Sequence, residues 1–189
     1  MSIRRSIKII ATYPKLKLLE IIRQNKFGKG SWVAGSTIIN HSTLGHYVYV
    51  GANCVINHAN IGSYCSIAPG VQIGGMEHNY NGLTTCAHLS PDQKFGDVTI
   101  IEEDVWIGAN VIVKQGVRIG RGAVVGACSF VTHDVEPYSV VYGIPSRFVK
   151  YRFSKQVINK LEESRYWEYL PAKSKQVLCK IKKGLVQQG

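Results

Sequence analysis

A beat of six residues runs through most of this chain. Large aliphatic residues, followed in most cases by a small or polar residue, stand at Val33, Leu44, Val50, Ile56, Ile61, Ile67 and Ile73. From Leu44 onward the steps are six, six, five, six and six. The beat returns at Ile101, Ile107, Val113, Ile119, Val125, Val131 and Pro137, with every step six. Two positions ahead of many of these sits a small or β-branched residue, as at Val48, Cys54, Cys65, Val71, Val105, Ala123 and Ser129. Such a period matches neither the 3.6-residue turn of a helix nor the two-residue alternation of a sandwich strand. It matches a short strand and a turn repeated around a three-sided coil of about 18 residues, with each large aliphatic pointing at a narrow axis. The five-residue steps shorten some coils by one. A single coil cannot bury its own aliphatic column, so the coils must stack.

The chain's 189 residues suit one domain with its own core. The beat places the solenoid at 27–150. Residues 1–26 read as an N-terminal helical segment, broken near Pro14. Residues 151–189 read as a C-terminal helical cap: Ser154 is placed to cap a helix with apolar residues at Val157, Ile158 and Leu161, and Val177, Leu178, Ile181 and Leu185 suggest a second. These helices are expected to cover the open last coil, whose edge would otherwise be unpaired. The fold class is thus an all-β solenoid with a long loop and flanking α-helices.

Charge is unevenly spread. Residues 1–30 hold eight Lys/Arg against one Glu, and 146–189 hold eleven against three, whereas 31–145 hold four basic and eight acidic residues. The basic ends suit a polyphosphate ligand, solvated tails, or a peripheral hold on an anionic membrane from its inner face. No basic recognition helix or stacking motif speaks for nucleic acid. No uncharged run approaches the roughly 18 residues of a membrane span, and Lys8, Lys15 and Lys17 interrupt what a signal peptide would need. Five cysteines without a C-x-x-C pair fit reduced thiols in a cytoplasmic protein better than disulfides or a zinc site.

Between Ile73 and Ile101 the beat fails for 28 residues. A loop of that length, here 75–97, is usually functional when it interrupts a regular solenoid. It carries Glu77, His78, Asn79 and Tyr80 near its start. An imidazole titrates near about 6.5 and can take a proton from a hydroxyl at neutral pH.

The beat, and the run Pro69-Gly70-Val71-Gln72-Ile73-Gly74-Gly75-Met76-Glu77-His78, resemble the hexapeptide-repeat acyltransferases, in particular the group that acetylates galactosides, maltose and xenobiotic antibiotics. The resemblance covers about residues 28–170. It implies a left-handed β-helix, a homotrimer, and direct transfer of an acetyl group from acetyl-CoA to a hydroxyl of a sugar, polysaccharide or small xenobiotic. It makes His78 the general base, with Glu77, Asn79 and Tyr80 of the loop beside the acceptor. Asp104-Val105-Trp106-Ile107-Gly108-Ala109-Asn110 resembles the family's donor-binding coil, and Gly126-Ala127 with Thr132 repeats the small-residue theme one coil later. Small residues let a pantetheine arm lie against the backbone. Gly143-Ile144-Pro145-Ser146-Arg147-Phe148-Val149-Lys150 is similar to the family's exit segment, which implies that Arg147 and Lys150 meet the nucleotide phosphates of CoA. Tyr166-Trp167-Glu168-Tyr169 stands where the xenobiotic group carries adjacent tryptophans.

Other readings compete. His58, in Ile56-Asn57-His58-Ala59-Asn60-Ile61-Gly62, resembles the histidine of sugar-nucleotide amine acetyltransferases, which implies a base for N-acetylation of an amino sugar; one coil before Ile73 and on its face, it is also placed to line the acceptor pocket beneath the loop. His41, His46 and His58 admit a metal hydratase on the same solenoid. That reading leaves Trp106, Arg147 and Lys150 without a task, so no metal is expected. A non-catalytic binding solenoid is the last.

Overall fold

A computed structural model describes residues 24–186 other than 79, 87 and 90–95. The expected N-terminal helices and Asn79 therefore fall outside the described residues.

The six-residue beat becomes a three-sided parallel β-solenoid. Sheet A stacks β1 (Lys26–Phe27), β4 (Thr43–Leu44), β7 (Ala59–Ile61), β10 (Thr99–Ile101) and β13 (Arg118–Ile119). Sheet B stacks β2 (Trp32–Val33), β5 (Tyr49–Val50), β8 (Ser66–Ile67), β11 (Trp106–Ile107), β14 (Val124–Val125) and β16 (Ser139–Gly143), and β17 (Ser146–Tyr151) closes it as an antiparallel partner of β16. Sheet C stacks β3 (Ile38–Asn40), β6 (Val55–Asn57), β9 (Gln72–Gly74), β12 (Ile112–Val113) and β15 (Phe130–Val131). Inward residues stand on one another in register: Val33 on Val50 on Ile67 in sheet B, Ile56 on Ile73 in sheet C. The column is almost wholly buried. Apolar burial of this kind, at about 0.8 kcal/mol per CH₂, is what binds one coil to the next.

Register explains the two step lengths. Coils before the loop repeat every 17 residues, as Val33 to Val50, and Ile101 to Ile119 after it spans 18. The short step falls at the corner from sheet C to sheet A, where His41 and His58 take left-handed backbone at φ 47 and 48. Ile39 fills the beat between Val33 and Leu44. The final coil differs from the expected rhythm. Val135, not Pro137, enters the column, bridging Ile119, and Pro137 is exposed. The reason is local: the Asp134 side chain accepts the Arg118 N–H at 2.8 Å, so the chain cuts the corner two residues early.

The C-terminal helices are α1 (Lys155–Ser164), a 3₁₀ turn (Tyr166–Glu168) and α2 (Pro171–Val186). Ser154 holds the N-cap position of α1 with extended backbone, but its hydroxyl makes no capping bond. The helices lie along the corner between sheets A and B, touching several coils, and the last sheet B strand is covered by β17 instead. Tyr47, Tyr64, Asp104 and Tyr138 form that corner, each with left-handed backbone. Tyr64 donates to the Tyr169 carbonyl, Tyr166 to Asp104 Oδ2 at 2.6 Å, and Tyr138 to Glu162 at 2.7 Å. Arg121 spans Glu103 at 2.8 Å and Glu162 at 2.6 Å, with its guanidinium 4.0 Å over the Trp167 ring. Burial pushes the phenols of Tyr138 and Tyr166 above their ordinary range, and the neighbouring carboxylates add to the shift. No helix among the described residues is long and apolar enough to cross a membrane.

Candidate active site

The loop leaves the solenoid at the same corner that His41 and His58 occupy. Asn40 pairs with Asn57, and Asn57 with Gly74, so His58 lies one coil below the departure point at Gly75. Gly74 has φ +68, and a Cβ there would meet the Asn57 carbonyl oxygen at 2.1 Å. Only glycine lets the chain turn off the coil at this point. When the chain returns, the Thr99 N–H donates to the His58 carbonyl at 3.1 Å, and Ile73 and Val113 pair as if the loop were absent. The loop is a true insertion, and the core does not register it.

His78 is exposed on this loop, with Nδ1 2.6 Å from the Thr85 carbonyl oxygen. A carbonyl only accepts, so Nδ1 carries the proton and the neutral ring has its lone pair on Nε2. Glu77 pairs with Lys114 at 3.5 Å, which ties the start of the loop to the coil above. Tyr80 is 76% exposed, and His58 is half-buried.

A second group assembles on the outward face of sheet B. Trp106 projects there from β11, 55% exposed, between Ser66 and Val124 in the neighbouring coils. Val124 pairs with Val140, and Val140 with Lys150. Arg147 pairs with Tyr142. Residues three apart on a regular strand face opposite ways, yet paired residues share a face. The register shift between Val140 and Val141 leaves Val149 without an opposite residue, and Arg147 and Lys150 therefore both face outward with Trp106. A bulge of this kind re-aims a side chain. Two cations and an indole on one face suit an elongated anionic ligand with an uncharged arm.

Gly108, Ala109, Gly126 and Ala127 line the corner at the end of the same strands. Coil stacking already demands the two glycines: a Cβ at Gly108 would meet Ala127 N at 2.6 Å, and one at Gly126 would meet Tyr142 Cβ at 2.8 Å. Tyr142, which the sequence pattern left unmarked, is 57% exposed beside this corner. Its signal was a tyrosine in the slot after Val141, where earlier coils place Gly108 and Gly126. Thr132 is placed apart. It follows Val131 on sheet C, at the loop's corner, and its hydroxyl meets His133 Nδ1 at 2.8 Å.

His41 and His46 flank opposite ends of β4, and His46 Nδ1 accepts the Lys29 N–H at 2.9 Å. Among the described residues no three His, Cys, Asp or Glu are placed to hold an ion.

Known proteins share this solenoid fold. A family model described as bacterial transferase hexapeptide (six repeats) matches residues 99–133. The hexapeptide-repeat acetyltransferase of Vibrio cholerae, solved with acetyl coenzyme A, superposes with a TM-score of 0.64 at 26% identity, covering 75% of this chain and 78% of that one. Residues 99–133 thus match the hexapeptide-repeat transferases, and the solenoid is similar in fold to theirs. A galactoside acetyltransferase solved with coenzyme A gives a TM-score of 0.61 at 26% identity, covering 74% of each chain. A chloramphenicol acetyltransferase of Klebsiella aerogenes is 37% identical over an alignment of 120 residues that covers 56% of this chain and 57% of that protein. This chain thus spans less than two thirds of that relative's length.

Proposed function

We propose that this hexapeptide-repeat chain is an acetyl-CoA-dependent O-acetyltransferase in which His78 is the general base. The observation that carries the reading is the convergence of Arg147, Lys150 and Trp106 on one face of sheet B. Arg147 and Lys150 hold the nucleotide phosphates. The arm runs past Trp106 along the corner of Gly108, Ala109, Gly126 and Ala127. Relatives solved with acetyl coenzyme A or coenzyme A support this donor.

In the reaction the acceptor oxygen attacks the thioester carbonyl carbon while Nε2 of His78 takes its proton. The new C–O bond forms, the C–S bond breaks, and the proton passes from His78 to the departing thiolate. The loop departs from the corner between sheets C and A, whereas the donor face belongs to sheet B. A homotrimer that sets one subunit's loop, with Glu77, Asn79 and Tyr80, against its neighbour's donor face completes the site, and Thr132 then serves from the loop side. His58, one coil below the loop, lines the acceptor pocket. The acceptor is a hydroxyl of a glycan or of a small xenobiotic, and the five lysines of α2 suit peripheral contact with anionic lipid.

The test is calorimetric titration with acetyl-CoA, alongside the Arg147→Ala/Lys150→Ala variant. Binding by the wild type that weakens at least tenfold in the variant, about 1.4 kcal/mol, supports the donor site. A folded wild type that does not bind acetyl-CoA overturns the proposal.

A further inference from the structure

We propose that Asp104 is a positioning residue for the donor site, a single carboxylate that sets the strand bearing Trp106 against the segment bearing Arg147 and Lys150. The inference rests on reading those three residues as the donor face. Asp104 stands at the corner two residues before Trp106, its backbone left-handed at φ 55 and its N–H bonded to the Ser63 carbonyl at 2.9 Å. Arg152 stands two residues beyond Lys150, and its guanidinium lies 3.7 Å from Asp104 Oδ2. The same guanidinium donates to the Gly122 carbonyl of the intervening coil, and the Arg152 N–H donates to the Tyr138 carbonyl at 2.8 Å. Tyr166 approaches from the helical flank and donates to the same Oδ2 at 2.6 Å.

Three parts of the chain far apart in sequence therefore meet at one oxygen. Two of them end within two residues of a donor-site side chain. β17 is the last strand of sheet B and has no partner on its outer edge among the described residues, so its placement depends on what holds its ends. One end is the Gly143 to Ser146 turn, and the other is Arg152. Fastening Arg152 to Asp104 fixes β17 relative to the coil that carries Trp106, with Val124 and Val140 between them. Glu162 fastens the same helices through Tyr138 and Arg121, without a donor-site residue next to either of its partners in sequence. Glu162 thus holds the helices without reaching the donor face, whereas Asp104 holds them through Tyr166 and also aligns the donor face through Arg152.

The experiment compares Asp104→Asn, Arg152→Gln, Arg152→Lys and Glu162→Gln by acetyl-CoA titration and thermal unfolding. Asp104→Asn keeps an acceptor for Tyr166 but loses the attraction to Arg152. It and Arg152→Gln are expected to weaken acetyl-CoA binding about five- to tenfold, with kcat at saturating donor changed less than twofold. Arg152→Lys, which restores a cation, recovers most of the affinity. Glu162→Gln lowers Tm and leaves acetyl-CoA affinity within twofold of the wild type. An Asp104→Asn variant that binds acetyl-CoA as tightly as the wild type, or a Glu162→Gln variant that loses as much affinity, overturns the positioning role. A wild type that does not bind acetyl-CoA overturns the donor reading instead, so the two failures are distinct.

Discussion

Nδ1 of His78 and the carbonyl oxygen of Thr85 lie 2.6 Å apart, closing the first part of the loop on itself. The bond fixes the tautomer and aims the ring, the supporting role that a buried carboxylate plays for many catalytic histidines. Replacing His78 with Ala or Gln is expected to lower kcat about 10²- to 10⁴-fold, the usual range for a lost general base. Acetyl-CoA affinity should stay within twofold, because the donor face belongs to another sheet. Steady-state rates on a panel of hydroxyl acceptors, with parallel calorimetry, check this. Loss of turnover in His58→Ala with His78→Ala still active would move the base to His58 and the acceptor to an amine.

The shared face of Arg147 and Lys150 makes a different demand. If both cations meet nucleotide phosphates, their removal harms only donors that carry those phosphates. Arg147→Ala/Lys150→Ala is expected to lower kcat/KM for acetyl-CoA at least tenfold and leave it nearly unchanged for acetyl-pantetheine. Added salt should weaken the wild type toward the variant, because exposed charges are screened over about 8 Å at physiological ionic strength. Equal losses with both donors would place the cations elsewhere in the chemistry.

How much of this was legible beforehand follows from what a repeat encodes. The axial column was readable because each coil buries one residue per side, so burial imprints a period on the sequence. The break at Gly74 was readable for the same reason, since an inserted loop interrupts a regular beat. Val135 displaced Pro137 because the deciding contact, the Asp134 side chain standing in for a backbone acceptor, has no periodic signature. The shared face of Arg147 and Lys150 depends on a bulge at Val149, and strand alternation alone would have set them on opposite sides. The helices were expected over the open end, but their anchors, Tyr64, Asp104 and Tyr138, are corner residues on three coils. A corner tyrosine looks in sequence like any turn residue.

Gly108 separates packing from binding. Its missing side chain is needed by the next coil, where a Cβ would come within 2.6 Å of Ala127 N and 2.9 Å of Ala127 Cα. Both atoms are rigid backbone, so Gly108→Ala must push the two coils apart. The expected cost is about 1–3 kcal/mol of stability, the range for overpacking, seen as a lower midpoint in urea. Gly51, two coils earlier in the same column and remote from Arg147 and Lys150, meets Pro69 N at 2.6 Å. Gly51→Ala should therefore cost a similar amount while leaving acetyl-CoA affinity unchanged. If Gly108→Ala were fully stable yet failed to bind acetyl-CoA, the glycine would be serving the donor and not the coil.

The helical flank should loosen in alkali. Phenols ordinarily titrate near 10.0, and burial, reinforced by Asp104 at Tyr166 and by Glu162 at Tyr138, holds both well above that. Above about pH 10 the unfolded chain releases these protons while the folded chain keeps them, so unfolding releases protons and stability falls as pH rises. Below that pH both states are protonated and the groups contribute no slope. Each such proton steepens the fall by up to about 1.4 kcal/mol per pH unit. Tyr166→Phe forfeits the bond to Asp104 and should be less stable at pH 8 by about 1–2 kcal/mol. It also lacks one of the retained protons, so its stability should decline less steeply and the gap to the wild type should narrow between pH 10 and pH 11.5. The buried Cys65 thiol is pushed up as well, but it is common to both proteins and cancels in the difference. Urea unfolding at pH 8, 10 and 11.5 reads the gap directly. A gap that stays constant across that range would mean that Tyr166 ionises at its ordinary pH and is not held by Asp104 in solution.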